Sequence, residues 1–220
     1  MAEELITADV EQSYVEYRAN FKEPITSVWF NASQGSILTQ MQKVLLPWKV
    51  GLQNISFNPT PKNLAEFQVT FSVPSLGAAI QVTLDGVIMS AVNVDWSRRS
   101  QYISFFQTAA DSLKAAIKAD LEAAQTTLAF HLRPGPKPFR EILKHFVNMK
   151  ALGVEDAQMY GVSAYCDEYS WVLDGSAVLP NGLFIKLVRL FPAGTRFEKI
   201  VAKIYEDEEA ILRRLGFKVQ

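Results

Sequence analysis

The chain has 220 residues, of which 49% are hydrophobic and 20% are charged, and this profile excludes a disordered or fibrous protein. Its 22 basic and 23 acidic residues leave a formal net charge of −1, so no long-range field favours nucleic acid or an anionic membrane as a partner. We therefore expect a folded protein with neither of these partners.

Cysteine usage and the uncharged segments indicate where the protein resides. Cys166 is the only cysteine and cannot form an internal disulfide, and Met1–Glu4 is acidic where a secretory signal would be basic and then apolar. The longest uncharged stretches, residues 24–42 and 67–84, are too rich in polar residues, glycine and proline for a helix that faces lipid. These features predict a cytoplasmic protein without a membrane span.

Two periodicities predict the elements of the first half, since alternation indicates strands and a spacing of three or four residues indicates helices. The predicted strands are residues 15–21, 52–57, 65–73, 80–84 and 87–94. The predicted helices are residues 33–46, ended by Pro47, and 97–121, with Ser97 or Ser100 as N-cap. Asp85-Gly86 is predicted as a two-residue hairpin turn because it tolerates a positive φ. Phe67 and Phe71 are predicted to face the core.

The same periodicities apply to the second half. The predicted strands are residues 126–132, 158–166, 169–173 or beyond, and 183–191, and the predicted helices are residues 139–147 and 197–215. The proline-rich stretch 133–138 separates the first strand from the first helix. Asp174-Gly175 and Pro180-Asn181-Gly182 are predicted turns, and Gly216 is predicted to end the last helix.

Both halves follow the order strand, helix, strands, helix. The predicted fold class is α+β, with mainly antiparallel sheet packed against two long and two short helices. The predicted domains are an N-terminal half, residues 1–122, and a C-terminal half, residues 123–220, either separate or joined in one compact domain. Two similar β-α-β-β-β-α halves would be a tandem duplication. Unequal spacing argues against it, because the Leu-Asp-Gly sequences at Leu84 and Leu173 are 89 residues apart and the aligned helices are 105 apart.

A thiol and imidazole pair is the first catalytic arrangement to consider, because Cys166 is the only thiol and His131 and His145 are the only histidines. No neighbouring cation is evident that would lower the pKa of the thiol. Asp167 and Glu168 would favour the neutral thiol. We therefore predict that Cys166 is a small buried hydrophobic residue of a strand.

Metal and cofactor motifs are missing from the sequence. Neither histidine lies in a His-x-x-x-His arrangement, and the chain has no phosphate-binding loop, dinucleotide-binding turn or esterase elbow. Glu206-Asp207-Glu208-Glu209 is predicted to be a solvated helix face, since consecutive helical positions point in different directions and Glu209 can pair with Arg213. We expect no metal and no cofactor.

Two groups of residues are candidate ligand-binding sites. Arg133, Lys137 and Arg140 bracket the proline-rich segment before a helix, where cations and free backbone donors can bind an anion. Their alternative interpretation is a solvated connector. Tyr165 and Trp171 belong to an aromatic cluster that could form a ligand pocket or partner surface, although alternation divides this cluster between two faces and assigns part of it to the core.

The preferred function is therefore a non-catalytic ligand-binding or protein-interaction protein, with a small molecule or a protein as partner. The alternatives are a hydrolase or transferase with dispersed catalytic residues, and a self-associating structural subunit. We also predict a two-fold homodimer, because unpaired strand edges seek partners. Residues 80–94 are the expected edge, facing either a second copy or the other half of the chain, while Lys186 and Arg189 are interpreted as edge protection.

Overall fold

A computed structural model describes residues 6–25, 34–58, 61–117, 121–135, 139–143, 161–214 and 217–219. Its strands are β1 (Ile6–Phe21), β2 (Ile55–Phe57), β3 (Gln68–Val73), β4 (Ala78–Thr83), β5 (Gly86–Val92), β6 (Leu121–Pro134), β7 (Gly161–Tyr165), β8 (Tyr169–Gly175), β9 (Leu183–Phe191) and β10 (Phe217–Val219). Its helices are α1 (Gln34–Leu45), α2 (Arg99–Ile117), α3 (Phe139–Leu143) and α4 (Phe197–Arg214). The predicted α+β fold, mainly antiparallel sheet with two long and two short helices, is confirmed.

Backbone contacts divide the chain into two compact units. The first unit comprises Val15–Thr126 and Leu190–Ala202. The second unit comprises Met1–Tyr14, Thr127–Arg189 and Lys203–Gln220. Strands β1, β6 and β9 and helix α4 therefore contribute residues to both units. The domain division after residue 122 and the tandem duplication stay predictions.

The strands of the first unit follow the order β2-β3-β4-β5-β1-β6. The pairs β2–β3, β3–β4 and β4–β5 are antiparallel, with Phe71 opposite Ile80 and Ile80 opposite Met89. These three side chains are fully buried, as the alternation of each strand requires. Helices α1 and α2 contact each other, and the Trp48 and Phe105 rings meet edge to face with centroids 5.6 Å apart.

Strand β1 confirms the predicted period-two pattern. Val15, Tyr17, Ala19 and Phe21 are buried, whereas the alternate Arg18 is exposed. The described strand is longer than predicted and begins at Ile6, because its N-terminal residues pair in parallel with the three-residue strand β10. Strand β10 itself is too short to give a periodic signal, and it was not predicted.

Strand β3 begins three residues later than predicted. Leu64–Glu66 forms a 3-10 turn, and Phe67 caps it with φ −75° and ψ 84°. The cause is Glu66, whose carboxylate accepts hydrogen bonds from the Asn58 and Asn63 side chains and the Lys62 backbone N–H. Phe71 is buried as predicted, while Phe67 is only half-buried.

The β4–β5 hairpin is confirmed, but its turn is not the predicted type. Neither Asp85 nor Gly86 has a positive φ. The Thr83 hydroxyl closes the turn by donating to the Gly86 carbonyl at 3.2 Å and accepting from the Gly86 N–H at 3.1 Å. Glycine is needed at position 86 because a Cβ there would collide with the carbonyl oxygen of Ala19.

Helix α2 ends earlier than predicted. Asp95 precedes it and accepts hydrogen bonds from the Ser97 N–H at 3.0 Å and the Ser97 hydroxyl at 2.6 Å. The described part of α2 is Arg99–Ile117, and Leu121 already belongs to strand β6. The inclusion of Leu121 in the apolar stripe of the helix was therefore wrong. Helix α1 ends at Leu45, and Pro47 lies in the following 3-10 turn as expected.

The strands of the second unit follow the order β1-β6-β9-β8-β7. The pairs β7–β8 and β8–β9 are antiparallel. Asp174-Gly175 is not a turn, because both residues lie in β8 opposite Phe184 and Leu183. The chain reverses only after Ser176, whose hydroxyl accepts the N–H groups of the next turn. The turn predicted at residues 180–182 is confirmed, with φ 57° at Asn181.

Two predicted sheet edges are internal. The β4–β5 hairpin lies between β3 and β1, and β9 lies between β6 and β8. Residues 80–94 therefore already have partners within the chain, and Arg189 does not protect an edge. None of the described helices is both long and apolar enough to cross a membrane. Predictions for residues 144–160, including His145, and for Leu215 and Gly216 lie outside the described residues.

Candidate functional site

The first unit contains a cleft of about 590 Å³. Four segments form it: β1, β5, helix α2 and the loop that leads into α4. Its lining residues are Tyr17, Phe21, Lys22, Val87, Met89, Ala110, Asp111, Leu113, Lys114 and Ala193–Glu198. A cleft of this size falls within the range of about 300–1,000 Å³ that is typical of small-molecule sites.

The loop before α4 is held in place by local hydrogen bonds. Pro192 directly follows β9. Its carbonyl accepts hydrogen bonds from the Thr195 N–H at 3.2 Å and from the Thr195 hydroxyl at 2.7 Å. Gly194 has φ 78°, a left-handed conformation that side chains other than glycine rarely adopt. This turn brings Phe197, the first residue of α4, to the cleft.

The inner wall of the cleft is apolar. Alternation along β1 and β5 places Tyr17 with Phe21 and Val87 with Met89, and all four residues are buried. The ring of Phe197 meets the ring of Tyr17 edge to face, with centroids 5.1 Å apart and planes at 88°. This wall suits the apolar body of a ligand.

The polar group of this wall is the hydroxyl of Tyr17. The residue is only 7% exposed, and burial raises the pKa of the phenol to about 12. The hydroxyl is therefore neutral and able to donate a hydrogen bond at physiological pH. It makes no hydrogen bond to any residue that the structure describes.

Charged side chains line the exposed part of the cleft. Lys22, Lys114 and Arg196 supply positive charge, and Asp111 and Glu198 supply negative charge. The Nε atom of Arg196 lies 3.5 Å from Oε2 of Glu198 in an exposed ion pair. The outer rim therefore carries both signs of charge, in contrast to the apolar inner wall.

The predicted anion-binding residues lie in the second unit. Arg133 is exposed, and its Nε donates to Oε1 of Glu11 at 2.6 Å, so a carboxylate already partners this cation. Lys137 lies outside the described residues. Arg140 belongs to α3, but its side chain is not described. Anion binding by these three residues stays a prediction.

The two predicted aromatic binding residues also belong to the second unit, and neither is a lining residue of the cleft. Tyr165 is 81% exposed at the end of β7. Trp171 is half-buried in β8, opposite Ala164 of β7 and Leu187 of β9. A ligand-binding role for either residue stays a prediction.

Cys166 is exposed, and its predicted burial was wrong. Strand β7 ends at Tyr165, so Cys166 begins the connection to β8 and donates its backbone N–H to the Tyr169 carbonyl at 2.8 Å. The prediction placed Cys166 within a strand, whereas it lies in the connection after the strand, where side chains are commonly exposed.

His131 and Ser176 form a histidine–serine pair that resembles part of a catalytic triad. The Ser176 hydroxyl lies 2.9 Å from Nδ1 of His131 and accepts the N–H groups of Val178 and Leu179 at 3.2 and 2.9 Å. Because these donors occupy both lone pairs, the hydroxyl proton goes to Nδ1 and no lone pair remains to attack a substrate. Desolvation lowers the pKa of His131, which keeps the imidazole neutral. The pair is therefore structural.

Asp207 is buried, so the predicted solvated face was wrong at this residue. Its carboxylate accepts two hydrogen bonds from Arg189, one of them from Nη2 at 2.6 Å. Glu168 accepts from Nη1 at 3.3 Å, and the Tyr169 ring centroid lies 4.9 Å from the guanidinium carbon. The hydrogen bonds to Asp207 raise the pKa of Arg189. These interactions satisfy both charges and indicate a structural ion pair.

The sequence carries a signal for this ion pair that the predictions missed. Asp207 has the same helical phase as Ile200, Ile204 and Ile211, which form the buried stripe of α4. Arg189 has the same strand phase as the buried residues of β9. When a basic and an acidic residue both occupy buried positions of their elements, the pattern predicts that they form an ion pair.

Neither a search for metal-binding groups nor a comparison with known proteins assigns a function to the protein. Over the described ranges, no group of three or more His, Cys, Asp or Glu side chains converges to hold a metal ion. No family model matches the sequence, and no curated protein matches it. The cleft of the first unit is therefore the candidate site on the strength of its geometry.

Proposed function

We propose that the protein is a non-catalytic binding protein that takes a small, largely apolar ligand into the cleft of the first unit. The observation that supports this proposal most is the cleft volume of about 590 Å³ together with its apolar wall. Burial of apolar ligand surface contributes roughly 25 cal/mol per Å². The charged rim would orient the ligand at the mouth of the cleft.

Binding is favoured over the alternative of a hydrolase or transferase by the chemistry of the lining residues. The Tyr17 hydroxyl holds its proton with a pKa of about 12, too tightly for efficient general acid or base catalysis near neutral pH. The Thr195 hydroxyl already donates to the Pro192 carbonyl. The charged side chains of the lining are exposed to solvent, whereas catalytic charged groups are commonly desolvated.

The proposal includes a cytoplasmic location and a two-fold homodimer. A single cysteine suits a reducing compartment, where a disulfide would not be maintained. Self-association is supported by the outermost strand of the first unit, the three-residue β2, which has a neighbour on one side only in the strand order of that unit.

Filling the cleft tests the binding function. Ala110 of α2 lines the cleft and is half-buried, so Ala110→Phe should place a ring in the ligand volume. Ala115 of the same helix is exposed and does not line the cleft, so Ala115→Phe is the matched control. In titrations with the neutral fluorophore N-phenylnaphthylamine, we expect Ala110→Phe to weaken binding by about tenfold or more and Ala115→Phe to bind like the wild type.

Thermal melting of both variants shows whether they fold. Equal binding by the two folded variants, or no binding by the wild-type protein, would contradict the proposed site. Mass spectrometry of solvent extracts from protein purified without added ligand then identifies any copurified molecule. Its loss from Ala110→Phe and retention in Ala115→Phe would assign that molecule to the cleft.

A further inference from the structure

The Tyr17 hydroxyl is a buried donor that lacks a partner in the described part of the chain. Tyr17 lines the cleft, and its ring is held by the edge-to-face contact with Phe197. A buried hydroxyl without a hydrogen bond is unfavourable, and buried tyrosine hydroxyls usually have a partner. Because Tyr17 is a lining residue of the cleft, a ligand bound there is the candidate partner.

The chemistry of a phenol decides which ligand group fits. Its O–H is a strong donor, so the complementary group is an acceptor oxygen. A carboxylate against the buried Tyr17 would give up hydration for a single hydrogen bond, while the cations of the lining, Lys22, Lys114 and Arg196, are exposed. A neutral acceptor avoids that desolvation cost.

Resting on the proposed function, we infer that the cleft selects apolar ligands that carry a neutral carbonyl-type oxygen, which accepts a hydrogen bond from the Tyr17 hydroxyl. The apolar body of such a ligand packs against Phe21, Met89 and Phe197. This arrangement adds selectivity to a wall that would otherwise accept apolar molecules by size alone, because an analogue without the oxygen leaves the hydroxyl unpaired.

A matched pair of probes tests the inference. Indanone and indane share one ring frame and differ in that indanone has a carbonyl where indane has a methylene. Affinities measured by ligand-observed NMR should show indanone binding the wild-type protein about five- to tenfold more tightly than indane. Tyr17→Phe should lose this preference by weakening indanone binding alone, since phenylalanine keeps the ring and removes only the hydroxyl.

The infrared carbonyl stretch of bound indanone provides a measurement that needs no variant. A hydrogen bond from Tyr17 should lower this frequency relative to indanone in a hydrocarbon solvent, and a bound frequency equal to the hydrocarbon value would overturn the inference. Equal affinities of the two probes for the wild-type protein would overturn it as well while leaving the binding function intact. Failure of both probes to bind the wild-type protein would instead overturn the proposed function.

Discussion

Burial of the Tyr17 phenol makes folding sensitive to alkaline pH. The pKa is about 12 in the folded protein against an ordinary value of 10.0, so the folded state keeps a proton that the unfolded chain releases. This contribution to stability is complete below pH 10 and is lost as the pH rises from 10 to 12. The expected loss is about 1.4 kcal/mol per pH unit within that window, or roughly 2 to 3 kcal/mol in total.

Urea unfolding of the wild-type protein and Tyr17→Phe across this pH range measures the effect. Lysines and other tyrosines titrate in both proteins, so the difference between the two unfolding free energies isolates Tyr17. The free energy of unfolding of Tyr17→Phe should rise relative to that of the wild-type protein as the pH increases from 10 to 12. A constant difference would show that the phenol is not desolvated in the folded state.

Within the second unit, the ion pair of Arg189 and Asp207 connects strand β9 to helix α4. Removing one partner of a buried pair leaves the other charge desolvated and uncompensated, at a cost of about 3 to 5 kcal/mol. Asp207→Ala should therefore lower the free energy of unfolding by that amount in chemical denaturation. Glu209→Ala is the control, because Glu209 pairs with Arg213 on the exposed face of the same helix and should contribute little.

Replacing both partners separates the charge effect from packing. The double variant Arg189→Met with Asp207→Leu buries no unpaired charge and should be more stable than Asp207→Ala alone. Equal losses from Asp207→Ala and Glu209→Ala would contradict the description of Asp207 as the buried partner of Arg189.

At the scale of the whole molecule, the two-fold homodimer stays a prediction with a revised location. The β4–β5 hairpin is internal, whereas β2 is outermost in its unit and its Phe57 is 48% exposed. We therefore expect light scattering across a dilution series to give a two-chain mass, which Phe57→Lys should reduce and Val92→Lys, on internal β5, should not. A one-chain mass at every concentration would contradict the dimer.

The sequence alone determined the position and type of many elements, because their patterns are local. Alternation identified the buried face of β1 and the strand β9, and spacing identified the long helices α2 and α4. Local patterns also produced errors where a neighbouring segment decides the outcome. Asp207 was assigned to a solvated helix face together with the three acidic residues beside it, yet its carboxylate accepts hydrogen bonds from Arg189.

Only the tertiary structure decided the candidate site. Tyr17, Met89, Ala110 and Phe197 belong to four segments separated by long stretches of chain, and no local periodicity relates them. Alternation shows which face of a strand is buried, but it does not show which strands are neighbours or which helix covers them. The strand order and the turn at Gly194 bring these segments together. The cleft therefore depends on long-range packing that single-segment patterns do not encode.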